Sequence, residues 1–454
     1  MKNKKEIKER IAHRRFLHDL RRRKLKKEKR RRKYLEYYHL LSRMGGVINE
    51  DSVFQYGTST NIKYVLQNEY SPLRAELLLK EKQIVDGVFV IPEVFSLVEN
   101  LEESFTIIRS IFAALICQYT KEVIIDYSNC RKITLDAQVF LDIILKDVIR
   151  FYNFYNRIPK YHTKVVRIGG RALHKPEIES LLYSVGSPAI HNNKRINYPN
   201  VIPYNLCVHK AEGDRVKQLE QKDLDTTELA LYVINCLKRM GRTLDGDSKD
   251  DLCTIIGETL INAEEHSSTK YRYSIGYFED NQVNGSHSGR FQLVIMNLGR
   301  TIYEKFHDPD CPNVSAVENM KKLSEHYTKE RFLLGQEFDE ETLWTLYALQ
   351  DGVTSVSPDE YESRGNGSLR FVEAFFNLKG NDKNDSHMYI QSGHTKILFD
   401  GTYHTSEQFV NGESYRVMTF NDSGDIHDKP NEKYVRRTES YFPGTFIYAN
   451  LIIQ

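Results

Sequence analysis

Glu258, Asn262, Glu265 and His266 stand at i, i+4, i+7 and i+8 within IGETLINAEEHSS (256–268), so a helix there carries all four on one face. A carboxylate and an amide one turn apart suit a magnesium–nucleotide site. The Asn262 carbonyl is a hard ligand of the kind Mg²⁺ accepts alongside waters and phosphate oxygens. Glu258, a turn earlier, can polarise a water or hydroxyl in line with a terminal phosphate. Leu252, Ile256, Leu260 and Ala263 fall toward another face, which can pack on a sheet. A solvated helix face would carry the same polar residues, so the decision rests on the rest of the chain.

Three later segments could complete such a site. The strand VIMNLGRTI (294–302) ends in N-x-G, with Asn297 and Gly299. SRGNGSLRF (363–371) is a short glycine loop, Gly365 and Gly367, opening a helix. There backbone N–H groups can approach phosphate oxygens and the helix dipole favours an anion. FPGTF (442–446) opens the last strand and supplies Thr445.

The elements around them divide the chain. Over 226–454, TTELALYVINCLKRMG and 247–266 read as amphipathic helices, the first closed by Gly241. YRYSIGYFED and GRFQLVIMN read as strands flanking an Asn284-Gly285 hairpin. A polar helical stretch (about 303–350) follows, then MYIQS, TKILFD and TFIYANLII as strands, an α+β pattern. Over 85–190, VFVIP (88–92), KEVIIDYS (121–128) and KVVRI (164–168) alternate with helical spacing at 101–115 and 134–150, which predicts α/β with parallel strands. Residues 1–44 read as a basic helical arm, 45–84 as a connector and 191–225 as a linker.

Helix E-x-x-x-N, strand N-x-G, glycine loop and closing G-T strand, in that order over 226–454, resemble the ATP-binding domain of the GHKL superfamily, a Bergerat-type α/β sandwich. The pattern E-x-x-x-N-A-x-x-H at Glu258, Asn262, Ala263 and His266 is most similar to the anti-sigma-factor serine kinase branch. The resemblance implies Glu258 as general base, Asn262 as Mg²⁺ ligand and His266 beside the phosphates. It implies Gly365 and Gly367 in the phosphate loop, Gly299 beside the base pocket and Thr445 near the pocket floor. Residues 303–362 would include a nucleotide lid, with Asp351-Gly352 as hinge. Two departures stand out. Asn297 replaces the family's Asp, which predicts looser discrimination between ATP and GTP, since an amide both accepts and donates. The loop reads G-N-G-S-L instead of G-x-G-L-G. Residues 85–190 resemble STAS domains, the partners of those kinases. Asp126 matches the acidic strand end, and Asp136 falls near the family's phosphorylatable serine, where a carboxylate would either mimic the charged state or simply be the polar first turn of the helix.

The fold class expected is thus α/β plus α+β, a STAS-like domain followed by a GHKL sandwich behind a basic arm. The function expected is a Mg²⁺-dependent regulatory ATPase that uses bound ATP as a conformational switch. The alternatives are a protein serine/threonine kinase of the anti-sigma-factor type and a non-catalytic, nucleotide-gated nucleic-acid-binding module. A protein partner is expected, and a homodimer is one assembly open to such a chain.

Composition bounds these readings. Of 454 residues, 40% are hydrophobic and 28% charged, enough for sizeable cores and unlike a disordered or disulfide-stapled chain. No apolar run is long enough to span a membrane, and no secretory leader is visible, so a cytoplasmic protein is expected. Six scattered cysteines suggest reduced thiols without a zinc site. The net charge of +2 conceals an asymmetry: residues 1–40 hold 18 Lys or Arg against 5 Asp or Glu, while the remainder is acidic. Such an arm is suited to phosphate-rich RNA or DNA, and reads equally as a solvated helix or a tail docked on the chain's own acidic body, with an anionic membrane surface as a further option.

Overall fold

Branched and aromatic runs make the strands, and Gly, Pro and Asp punctuate the helices between them. The computed structural model describes His18 and residues 21–29, 57–118, 120–156, 166–190, 196–211, 214–265, 267–283, 286–328, 338–355, 367–379, 386–410 and 413–454. Contacts divide the chain into a small unit, residues 1–59 and 147–166, and a large one, residues 60–146 and 167–454. In the small unit, residues 21–29 form a helix whose residues are all exposed.

The large unit begins with helices α1 (Thr60–Gln67) and α2 (Ala75–Lys80), within the stretch expected to be a connector. Then come β1 (Val88–Val90), β2 (Val94–Phe95), α3 (Leu101–Ile116), β3 (Glu122–Asp126), β4 (Lys132–Ile133), α4 (Leu135–Tyr155), β5 (Arg167–Arg171) and α5 (Pro176–Val185). β1, β3 and β5 form a parallel three-stranded sheet in the order β1-β3-β5, as the alternation predicts. β5 lies three residues later than KVVRI, and Gly169-Gly170 belongs to it. A Cβ on Gly170 would sit 2.9 Å from the Ala189 carbonyl oxygen, so the glycine allows close backbone approach. In α5, Pro176 occupies the first turn and Gly186 ends the helix in the left-handed region at φ 65°.

The second half holds β6 (Val201–Lys210), α6 (Arg215–Arg239), α7 (Gly246–Glu265), β7 (Tyr271–Val283), β8 (Ser286–Leu298), α8 (Ile302–Phe306), α9 (Val314–Thr328), α10 (Glu340–Ala348), α11 (Gly367–Leu378), β9 (His387–Phe399), β10 (Ser406–Val410), β11 (Glu413–Val417) and β12 (Val435–Ile453). The main sheet has five antiparallel strands in the order β6-β7-β8-β12-β9. Two expectations are corrected here. Residues 191–225 are not merely a linker: β6 is an edge strand of the main sheet, and α6 starts at Arg215, capped by the Asp214 carboxylate. MYIQS and TKILFD form one strand, β9, with Gly393 inside it at φ 57°. The Asn284-Gly285 pair lies outside the described residues; the strands beside it pair as a hairpin would, Val283 opposite Ser286.

Both faces of the main sheet are covered. Phe291, Leu293 and Ile295 of β8 join the core with residues of α6, α7, α10 and α11, while the alternate residues Gln292, Val294 and Met296 are also buried. On that second face the rings of Phe105 (α3) and Phe140 (α4) lie 6.4 and 5.6 Å from that of Phe442 (β12). Ser180 of α5 shares a 2.8 Å hydrogen bond with Tyr277 of β7, and Lys396 of β9 donates to the Val98 carbonyl. Of the regions expected to be separate domains, residues 85–146 and 167–190 of the first therefore pack with 226–454 within the large unit. Among the described residues no helix is long and apolar enough to cross a membrane. All six cysteines are free.

Candidate functional site

α7 lies against the main sheet because Leu252, Ile256 and Leu260 are buried in its core, as their spacing predicts. That packing turns Thr259, Asn262 and Ala263 toward the ends of β8 and β12. There they line a small cavity of about 50 Å³ with Asn297, Thr445 and Ser368, while Ile295, Ile302, Leu349, Ile390 and Ile447 form its apolar side. Residues from α7, β8, α11 and β12 thus meet at one place. Ligand pockets usually begin near ~300 Å³, so a nucleotide enters only if neighbouring groups move apart.

The two asparagines in this cavity are held differently. Asn297 is 2% exposed, and its Nδ2 donates to the Ala263 carbonyl at 2.8 Å. Its Oδ1 accepts from the Thr445 N–H at 3.2 Å, across the register pair Asn297–Thr445. It therefore clamps the end of α7 to β8 and β12, and offers the cavity only its second amide hydrogen and second lone pair. Asn262 has no side-chain hydrogen bond among the described residues, leaving its amide to the cavity. One turn earlier, the Glu258 Oε2 is buried and has no hydrogen-bond partner among them either. Glu258 does not line the cavity itself.

Two glycines set the strand ends. Gly299 has φ 149° and donates its N–H to the Pro443 carbonyl at 3.1 Å; a Cβ there would lie 2.7 Å from Ser268 Oγ. A Cβ on Gly444 would lie 2.2 Å from the Asn297 carbonyl oxygen, so β8 and β12 meet more closely there than any other residue permits. Thr445 Oγ1 is 2.8 Å from Ser392 Oγ, tying the last strand to β9. Gly367 is the first residue of α11, beside Ser368 in the cavity wall. Gly365 and His266 lie outside the described residues. Within 303–362, expected to include a lid, α10 is instead part of the core: Leu343, Trp344 and Leu346 are buried in it.

A buried charge cluster at the end of α7 has no counterpart in the sequence reading. Glu264 lies 2.9 Å from Lys222 Nζ and 3.2 Å from His209 Nε2. The other ring nitrogen of His209 lies 3.2 Å from Asp225, which also receives Arg272 Nη2 at 2.8 Å and Gln221 Nε2 at 2.7 Å. Burial opposes ionisation of Asp225, but His209, Gln221 and Arg272 outweigh it and hold its carboxyl down at about 2. Four elements, β6, α6, α7 and β7, are thereby tied beside the residues that line the cavity. The contributing residues lie far apart in the chain, so no local spacing announces them.

In the parallel-sheet region, Asp136 is fully buried and accepts from the Leu97 and Val98 N–H groups at 2.8 and 3.1 Å. Burial, only partly offset by Thr134 and by backbone amides including that of Leu97, pushes it up to about 6. Asp136 lies in the first turn of α4, as the plainer of the two sequence readings has it, and holds the loop at Leu97 and Val98 rather than presenting a charge at the surface. Asp126 is clasped by Arg171 at 2.7 Å. Larger clefts of about 490 and 520 Å³ flank α11 around Glu373 and Arg416, and neither is lined by a residue to which the sequence reading gave a catalytic or binding role. Among the described residues no group of three or more His, Cys, Asp or Glu could hold a metal ion. A single amide ligand completed by phosphate oxygens and water is a different arrangement and suits Mg²⁺. Comparison with protein-family models, curated proteins and solved structures returns no match.

Proposed function

We propose that the chain binds ATP with Mg²⁺ at the cavity between α7, β8, β12 and the start of α11, hydrolyses it, and uses the bound nucleotide as a conformational switch. The observation that carries this reading is the meeting of Asn262, Asn297, Ser368 and Thr445, drawn from four distant segments, around one cavity. The antiparallel sheet with α6, α7 and α11 on one face agrees with the GHKL-type sandwich that the motif order suggests. Asn262, whose amide is uncommitted, would hold Mg²⁺, which supplies charge neutralisation at the phosphates. Glu258, with an unsatisfied buried oxygen, would take the proton of the attacking water. The amides opening α11 would face the phosphates. Asn297, with one hydrogen and one lone pair to spare, would read the base loosely, so ATP and GTP should differ by less than about a thousandfold.

Nucleotide binding and phosphate release by wild type, Asn262→Ala and Glu258→Gln test this. Asn262→Ala should weaken Mg²⁺-dependent binding, and Glu258→Gln should keep binding while losing turnover by about 10²–10⁴-fold. Unchanged binding in the first variant, or unchanged turnover in the second, would remove these roles. Transfer of label to a protein hydroxyl in place of phosphate release would redirect the reading to a kinase.

A further inference from the structure

The helix at residues 21–29 carries Arg21, Arg22, Arg23, Lys24, Lys26, Lys27 and Lys29, with Glu28 as its one acid and Leu25, 65% exposed, as its one apolar residue. None of the seven cations has an ion pair or side-chain hydrogen bond among the described residues. At 3.6 residues per turn they fall on every side of the helix, with no gap wider than about 80°.

That distribution restricts the occupant. A lipid surface or an acidic protein face touches one side of a helix and leaves the opposite cations in water, and an interfacial helix also needs an apolar face, which Leu25 alone does not make. A groove with negatively charged walls engages two opposite flanks of a helix at once, which a flat surface cannot do. The major groove of B-form DNA, about 12 Å wide, admits a helix about 10–12 Å across, whereas the A-form major groove of duplex RNA is narrow and deep. Phosphates on both walls would then be neutralised with release of counterions.

We infer that residues 21–29 form a DNA-binding helix that seats in the major groove of duplex DNA, gripping the phosphates of both walls without a preferred side. This activity is separate from the nucleotide site and does not depend on it.

The test is fluorescence anisotropy with the full chain and mixed-sequence 20-base-pair duplexes of DNA and RNA, alongside flotation with phosphatidylserine vesicles. Two triple variants divide the helix: R22Q/K26Q/K29Q on one side and R21Q/K24Q/K27Q on the side about 170° away. Both sets are exposed, and Gln keeps helix propensity, so folding is not at stake. The expected result is DNA bound more tightly than RNA or vesicles. Each triple should weaken DNA binding to a similar extent, roughly 10²-fold near 0.1 M salt, and lower the slope of log K against log salt by about 2 to 3. The inference is overturned by no DNA binding at 50 mM salt, by tighter binding to duplex RNA or vesicles, or by a loss confined to one triple.

Discussion

Replacing Asn297 by Asp changes the chemistry of one atom and almost none of the volume. The Nδ2–H that reaches the Ala263 carbonyl at 2.8 Å disappears, and a carboxylate oxygen faces that carbonyl oxygen instead. The acceptor for the Thr445 N–H at 3.2 Å survives. At 2% exposure Asn297 is shut off from bulk solvent. A buried carbonyl left unsatisfied costs about 1–3 kcal/mol, and a buried carboxylate adds to it unless it takes up a proton. A protonated carboxyl would restore a donor toward Ala263, at a cost of about 1.4 kcal/mol for each pH unit between its raised pKa and the ordinary carboxylate range. Either route predicts a loss of about 2–4 kcal/mol at pH 7.5 that shrinks toward pH 4.5. Thermal unfolding followed by circular dichroism at both pH values reads this out. For a unit this large, a shift of roughly 2 °C or less per kcal/mol gives a fall of several degrees at pH 7.5, with a smaller gap at pH 4.5. Equal midpoints at pH 7.5, or a gap indifferent to pH, would refute the role of Asn297 as a clamp.

The remaining predictions concern other buried charges. Arg272→Met should destabilise the chain by about 3–5 kcal/mol, because Arg272 is 1% exposed and its loss deprives buried Asp225 of a guanidinium; denaturant unfolding within 1 kcal/mol of wild type would contradict this. Burial pushes Asp142 up to about 7, against Ser187 and Gln138, which donate to it at 2.6 and 2.8 Å, and Asp136 up to about 6. Both hold a proton in the folded chain more readily than in the unfolded one. Their contribution is therefore complete below about pH 4 and lost as the pH rises through 6 and 7. The unfolding midpoint should rise on going from pH 8 to pH 5, and Asp142→Asn should flatten that rise; a parallel pH profile in the variant would count against it.

What the sequence made legible follows from the range of the forces involved. β3 and β8 announce themselves through continuous branched runs, since a strand covered on both faces needs no polar alternation. The helix spacing of Leu252, Ile256 and Leu260 marks the face of α7 that packs on the sheet. β6 stayed hidden because VIPYNLCVHK contains a proline and polar residues, which an edge strand tolerates and a central one does not. The joining of MYIQS and TKILFD depended on Gly393, a turn signal that here bends a strand from within. At the candidate site, the residue types around the cavity were readable, but their division of labour was not. The motif order assigns Asn262 and Asn297 different ligand roles, but only the three-dimensional partners show that Asn297 holds the frame while Asn262 has no side-chain hydrogen bond among the described residues. The cluster of His209, Asp225, Glu264 and Arg272 forms wholly through tertiary contacts, and no short-range rule could assemble it.

The aromatic wall that Phe442 shares with Phe105 and Phe140 bears on how such a gene could have been put together. Had two independent modules been spliced near residue 195, each would have arrived with its own finished, water-compatible exterior. Here each half instead leaves an oily surface that only the other half seals. Separating the halves would turn Phe442 on one side and Phe105 and Phe140 on the other toward water, so each depends on the other to bury its aromatic surface.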